Sequence, residues 1–225
     1  MRTLIRTIPA AALLLALGTG HLEAQAPGNG DFQWYIGGQG GVTVFKTPTQ
    51  GSSAIPNFGG HTLIVAKRTG LLLSFDEGVG STETSSYTDG SGVQSVTFND
   101  IRRYSAVLMA FPIRAAAQPY LGVGYGIIHV VNPTPASSAA FQSDAVELGS
   151  FGFGTFVGGL QFQVGRFVAF GQYQITTSPS QKTVTASDGT VLAVGRLLDG
   201  PTHSFSGGLR IGLGSARENI RGGGY

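Results

Sequence analysis

The chain has 225 residues, 36 of them glycine, no cysteine, and a charged fraction of 12%, about half the roughly 25% of ordinary soluble domains. Without cysteine, neither a disulfide framework nor a lipoprotein anchor is available. The formal net charge of +2 carries no basic excess of the kind that signals a nucleic-acid partner.

Arg2 and Arg6 precede an apolar run at 8–17, and the LEAQA stretch at 22–26 offers small-residue cleavage positions. This predicts a secretory signal peptide over residues 1–24, cut after Ala24 or Ala26. The run is too short for a spanning helix, which needs about 20 apolar residues. Removing the leader leaves 12 basic against 11 acidic residues, a net +1.

Period-two alternation then dominates. A first strand is predicted over 32–45, with Trp34, Ile36, Val42 and Val44 on one parity and Gln33, Gln39 and Thr43 on the other. A connector at 46–57 holds Pro48, Gly51 and Pro56, a second strand covers 58–66, and a tight turn at 67–70 leads to a third strand from Leu71. A long hairpin turns at Asp89-Gly90, a pair suited to positive φ, and the fourth strand runs over about 96–112.

The fifth strand, 118–131, is the plainest. Leu121, Val123, Tyr125 and Ile127 occupy one parity, and Tyr120, Gly122, Gly124 and Gly126 the other. A polar loop follows at 132–150, the sixth strand spans 151–164, and Gly165-Arg166 turns into the seventh at 167–176. The connector 177–201 carries its own hairpin signal at Asp188-Gly189, the last strand covers 203–213, and a tail follows. Connectors alternating between long and short predict an all-β, antiparallel up-and-down barrel of eight strands. If the two halves of the 177–201 hairpin also span, the count becomes ten. The barrel is expected within 27–214, with a short tail at 215–225.

Parity does not say which face is inside, but charge does. A soluble barrel covers its exterior with charged side chains, and these strands barely contain them. The polar parity is Gln, Thr, Ser and Gly, which suits an enclosed interior. Trp34, Ile36, Val42, Leu121, Val123, Tyr125, Phe162, Tyr173, Leu209 and Ile211 are therefore assigned to lipid. Gln33, Gln39, Thr43, Asp76, Gln161, Gln172, Gln174 and Arg210 are assigned to the lumen. Lipid leaves no backbone group unpaired without a penalty of several kcal/mol, so strands must close on themselves to cross it. A secreted chain of this kind belongs in the outer membrane of a two-membraned bacterium.

PYLGVGYG at 119–126, FVAFGQYQI at 167–175 and HSFSGGLRIGL at 203–213 resemble strands of the small eight-stranded outer-membrane β-barrel proteins, the OmpA/OmpX-like group. The resemblance covers 32–213 and implies a barrel rather than an activity. In that group the seventh strand often reads F-x-E-Y-R-Y with its charges inward. Here Gln172 and Gln174 flank Tyr173, which implies a less charged interior. The resemblance also implies recognition by the barrel assembly machinery through a C-terminal aromatic strand. Tyr225 is aromatic, but Arg221-Gly222-Gly223-Gly224 before it does not alternate, so either the signal is degenerate or Leu213 ends the recognised strand. No peptidoglycan-binding segment is expected after the last strand.

Few residues suggest chemistry. His203-Ser204-Phe205-Ser206 only partly matches the H-x-S-N pattern of lipid A deacylases. His61, His129 and His203 lie on three different strands, with His129 and His203 on the lipid-side parity, so no metal site is expected. Gly122-x-Gly124-x-Gly126 lacks the helix a dinucleotide fingerprint needs. No cofactor is expected. Arg210 is expected to pair inside with Asp76, and one of Arg102 and Arg103, which point opposite ways, to meet lipopolysaccharide phosphates. Three roles follow, for a chain expected to be monomeric: a structural or surface-interaction barrel; a narrow passive channel, since Gly37, Gly41, Gly122, Gly124 and Gly126 leave space inside; and, least supported, a lipid-A-modifying enzyme.

Overall fold

The computed structural model describes residues 32–113, 115–131, 133–135 and 142–216; the expected signal peptide and nearly all of the expected tail lie outside them. Eight strands close into a barrel in the order β1 (Phe32–Lys46), β13 (His203–Ala216), β10 (Phe167–Thr176), β9 (Ser150–Val164), β7 (Ala117–Val131), β6 (Asp100–Ala110), β3 (Thr69–Gly78) and β2 (Ser52–Ala66). Every neighbouring pair is antiparallel, so each strand finds a ladder on both sides and no edge is left open. No helix among the described residues is long and apolar enough to cross a membrane.

At one end lie tight hairpins. Lys67-Arg68 joins β2 to β3 and Gly165-Arg166 joins β9 to β10, each opening on a positive φ, 53° at Lys67 and 61° at Gly165. Positive φ matches the twist of the flanking strands. At the other end the connections build a second sheet, in the order β11 (Lys182–Thr185), β12 (Val191–Gly195), β4 (Thr84–Asp89), β5 (Gly92–Thr97) and β8 (Thr134–Pro135). The ten-strand alternative is thereby settled. β11 pairs with β12, and β12 with β4, rather than with the barrel wall.

Both Asp-Gly tips are present. Asp89 Oδ1 accepts from the Ser91 amide at 2.8 Å, and Asp188 Oδ1 from the Thr190 amide at 2.9 Å. These local bonds favour a turn over a continuing strand.

Two expectations about connectors are corrected. The segment after the first strand is short, because β2 begins at Ser52 and pairs with β1 up to Lys46. Pro56 sits within this strand at no loss to the ladder. Its carbonyl accepts from Val79 on the β3 side, beyond Gly78, where β3 ends. The missing Pro56 donor therefore lies where the β2–β3 ladder has already ended. The stretch at 132–150 also holds a helix, α1 (Gln142–Leu148), which buries Ala145 and Leu148.

The 15-residue strands β1, β2, β7 and β9 are each about 50 Å long at about 3.3 Å per residue. That exceeds what an apolar band about 25 Å tall requires. Their ends project from the barrel and carry the second sheet as a cap. The apolar residues of cap and strand ends form one cluster, including Phe45, Ile128, Val130, Phe153, Tyr87, Phe98, Val184, Leu197 and Leu198. A second cluster, with Tyr35, Leu63, Leu72, Val107, Met109, Phe111 and Tyr120, fills the barrel at the hairpin end.

Candidate functional site

The ten side chains expected to face lipid all point outward. Nine are exposed, from 42% at Trp34 to 62% at Tyr125. Tyr173 is half-covered because its hydroxyl meets His203 Nδ1 at 2.7 Å and its ring lies 4.9 Å from Phe205. Phe58, Leu73, Leu108, Ile127, Phe156, Leu160 and Phe205 extend the same apolar wall. Alternation explains the pattern, since each strand sends every second side chain outward.

The eight residues expected in the lumen all point inward, and seven of them are buried; Gln33, near the hairpin-end mouth, accepts from Tyr35 at 2.8 Å. Between the two apolar clusters lies a polar belt. Tyr120 donates to Gln172 (3.2 Å), Gln172 to Gln39 (3.3 Å), and Gln39 to Asp76. Arg103 reaches Asp76 at 3.4 Å and donates to Ser204 at 2.8 Å. Ser204 meets Thr43 at 3.0 Å, and Asn57 donates to Thr43 at 2.7 Å. β6 and β13 stand opposite each other in the ring, so the Arg103–Ser204 bond crosses the whole lumen. The chain ties five further strands to the same ion pair, and buried polar groups satisfied in this way rigidify what they join.

Arg210 is fully buried and has a different set of partners. Its Nε donates to His61 Nε2 at 2.9 Å and its Nη1 to Gln161 at 2.8 Å, and its Cζ lies 3.9 Å above the Phe170 ring. Accepting at Nε2 makes His61 the neutral Nδ1–H tautomer. An aromatic face and two neutral acceptors thus hold a cation without a carboxylate.

One expectation is overturned and another is narrowed. Arg210 does not pair with Asp76; Arg103 does, because it sits beside Asp76 in the β3–β6 register. Arg103 therefore cannot meet lipopolysaccharide: it is 5% exposed and faces the lumen. Arg102 does face outward, but Glu77 holds its Nε at 2.9 Å and its Nη2 at 2.8 Å.

At Gly37, Gly122 and Gly126 side chains from elsewhere take up the space the glycines leave. A methyl at Gly37 would lie 2.9 Å from Arg210 Cγ and 2.7 Å from His61 Nε2, and one at Gly122 would lie 2.7 Å from Val107. The Phe153 ring similarly fills the space at Gly126. These glycines make room for their neighbours' large side chains. Sequence alone showed the gap and not its occupant, because the filler comes from another strand.

The residues that suggested chemistry do not converge. His203 points outward to Tyr173, while Ser204 points inward to Arg103 and Thr43. His129 Nδ1 meets Ser150 Oγ at 2.5 Å on the outer wall. The carboxylate in the same register row, Glu77, serves Arg102 instead of the imidazole, so the relay that activates a serine is incomplete. Among the described residues no three His, Asp or Glu side chains cluster as a metal site.

No protein-family model and no curated protein matches the chain. Among solved structures it is similar to Neisserial surface protein A, at 8% identity and a TM-score of 0.50 over 79% of this chain and 96% of that one. It is also similar to the outer membrane protein OprG from Pseudomonas aeruginosa, at 12% identity and a TM-score of 0.51 over 83% of this chain and 99% of that one. Closed antiparallel topology, an apolar outer wall and these likenesses agree: the chain has the fold of the small eight-stranded outer-membrane β-barrels.

Proposed function

We propose that the protein is an integral outer-membrane barrel with a structural or surface-interaction role, its hairpin turns in the periplasm and its cap outside the cell. The wall of exposed Leu, Val, Ile and aromatic side chains supports the membrane reading, since contiguous apolar surface on this scale marks contact with something other than water. Short turns at one end and long connections at the other match the usual orientation of bacterial barrels. Lipid and lipopolysaccharide are then its surroundings, and the barrel assembly machinery its route into them. The reading assigns no catalytic group and no resident cofactor, and treats the molecule as a monomer.

The filled lumen carries the choice of role. An eight-stranded interior is normally just filled by side chains, and here a polar belt lies between two apolar plugs. A passive channel would need a continuous wet path through both. In planar bilayers the purified protein is expected to give no reproducible single-channel steps; steady unitary currents would overturn the structural reading in favour of the channel. In detergent the unboiled protein is expected to migrate anomalously on a gel until heated, with a β-type circular dichroism spectrum. A single unshifted band with a helical spectrum would remove the barrel altogether.

A further inference from the structure

The two ends of the molecule carry opposite charge. Among the described residues the hairpin end holds Lys67, Arg68 and Arg166 and no carboxylate. Every described Asp and Glu stands toward the cap, except Asp76 in the lumen. Lys67 and Arg68 form the β2–β3 turn, are exposed, and enter none of the ion pairs among the described residues. Two neighbouring cations with no acid beside them favour an anionic partner.

Immediately above this turn the outer wall is hollow. The register sets Phe32, Ala66, Thr69, Ala110 and Leu121 side by side on β1, β2, β3, β6 and β7. Three small side chains between two large ones leave a trough of about 630 Å³, bounded toward the cap by the larger residues of the next row, Leu71 and Leu108 among them. Thr69 Oγ1 donates to the Ala66 carbonyl at 3.0 Å, so the floor presents no free donor. Lys67 follows Ala66 and Arg68 precedes Thr69. Each cation is thus one residue from the floor, a Cα step of about 3.8 Å, and its long stem can lie along apolar surface while the charge stays at the headgroups.

We propose that this trough and the Lys67–Arg68 turn seat an anionic glycerophospholipid of the periplasmic leaflet. Its phosphate lies against the two cations, and one acyl chain lies along Ala66, Thr69 and Ala110. Apolar burial and attraction between basic side chains and an anionic headgroup then act on one lipid molecule. The opposite end does not offer this, because Glu77 already holds the outward Arg102. The site rests on the placement of the wall in lipid and of the hairpin turns in the periplasm proposed above.

Trp34 provides the test. It is the chain's only tryptophan, and it stands opposite Ile64 at the edge of the trough, so it reports a quencher carried by the lipid. The full chain is refolded into phosphatidylcholine vesicles and titrated with phosphatidylglycerol brominated on its acyl chains. This lipid is expected to quench Trp34 with an apparent affinity about fivefold above that of equally brominated phosphatidylcholine, the scale of one basic residue near an anionic surface. The difference is expected to shrink as salt is raised. Lys67→Gln combined with Arg68→Gln is expected to abolish the preference. Ala110→Phe keeps both charges but fills the floor, and is expected to reduce it. Equal quenching by the two lipids overturns the proposal, as does a preference that survives either change or that Arg166→Gln removes instead. Quenching by neither lipid overturns the membrane reading and the site with it. The heat-dependent gel shift, scored on the same samples, reports the barrel independently, so loss of the lipid site and loss of the membrane reading are told apart.

Discussion

The barrel wall and the cap are two β-sheets of one chain turned inside out with respect to each other. In the wall, Leu121, Val123 and Leu209 face outward while Asp76, Arg103 and Gln172 face inward. In the cap, Val96, Val184 and Ala193 face inward while Thr88, Thr183 and Ser95 face the surroundings. Both sheets are built from strict alternation, and alternation only divides residues between two faces. The medium on each side decides which set is covered. Val123 and Val93 are 60% and 76% exposed, yet the first is read against hydrocarbon and the second against water.

The largest expected effect breaks the wall's interior. Asp76→Ala leaves Arg103 buried without its counter-charge, and losses of this kind run to about 3–5 kcal/mol. Urea unfolding in lipid vesicles measures it. The double change Asp76→Ala with Arg103→Ala is expected to lose less than the two single changes summed. A cap-core change acts elsewhere. Leu198→Ala, at a fully buried site, is expected to remove about 2–5 kcal/mol of cap stability. Faster protease cleavage of the cap, with the barrel's gel shift intact, is the predicted signature.

The comparison sharpens with one substitution in two places. Val123→Arg is expected to destabilise by about 2–4 kcal/mol, the range for arginine near mid-membrane on a lipid face. Val93→Arg in the cap is expected to stay within about 0.5 kcal/mol. Equal losses at the two sites would refute the assignment of media. The smallest effect is one of pH. Tyr87 is raised in the folded cap, from an ordinary value of 10.0, mainly by burial. Folded and unfolded chains are both protonated below about pH 10, so cap stability is flat there. Above it the unfolded phenol ionises first and stability falls until the folded phenol also ionises. Tyr87→Phe is expected to abolish that fall in a pH series of protease resistance.

What was legible in the sequence follows from the same distinction. Trp34 to Val42, Leu121 to Ile127 and Gln172 to Gln174 were readable because side-chain direction needs only period two and low charge. Partner choice was not. Asp76 and Arg210 share the lumen, but which cation meets Asp76 depends on how far each strand slides past its neighbour, and that register places Arg103 beside it. Pro56 misled for a related reason. Proline breaks a ladder only where its nitrogen faces a partner, and the end of β3 was not visible locally. α1 went unread because seven residues are too few to show a helical period above the surrounding polar loop. Lys182–Thr185 and Val191–Gly195 were seen as strands, but alternation does not say which sheet a strand joins.

β13 has a consequence for how the molecule is made. It is the last described strand, it meets both β1 and β10, and it brings Ser204 and Arg210 with it. Until it docks, the ring has an open seam, Arg103 lacks its anchor on the far wall, and His61 and Gln161 await their donor. Sealing the seam and wiring the interior are therefore a single event. A chain stalled one strand short would hold an incompletely paired cation and two bare sheet edges toward hydrocarbon, a state the bilayer itself rejects.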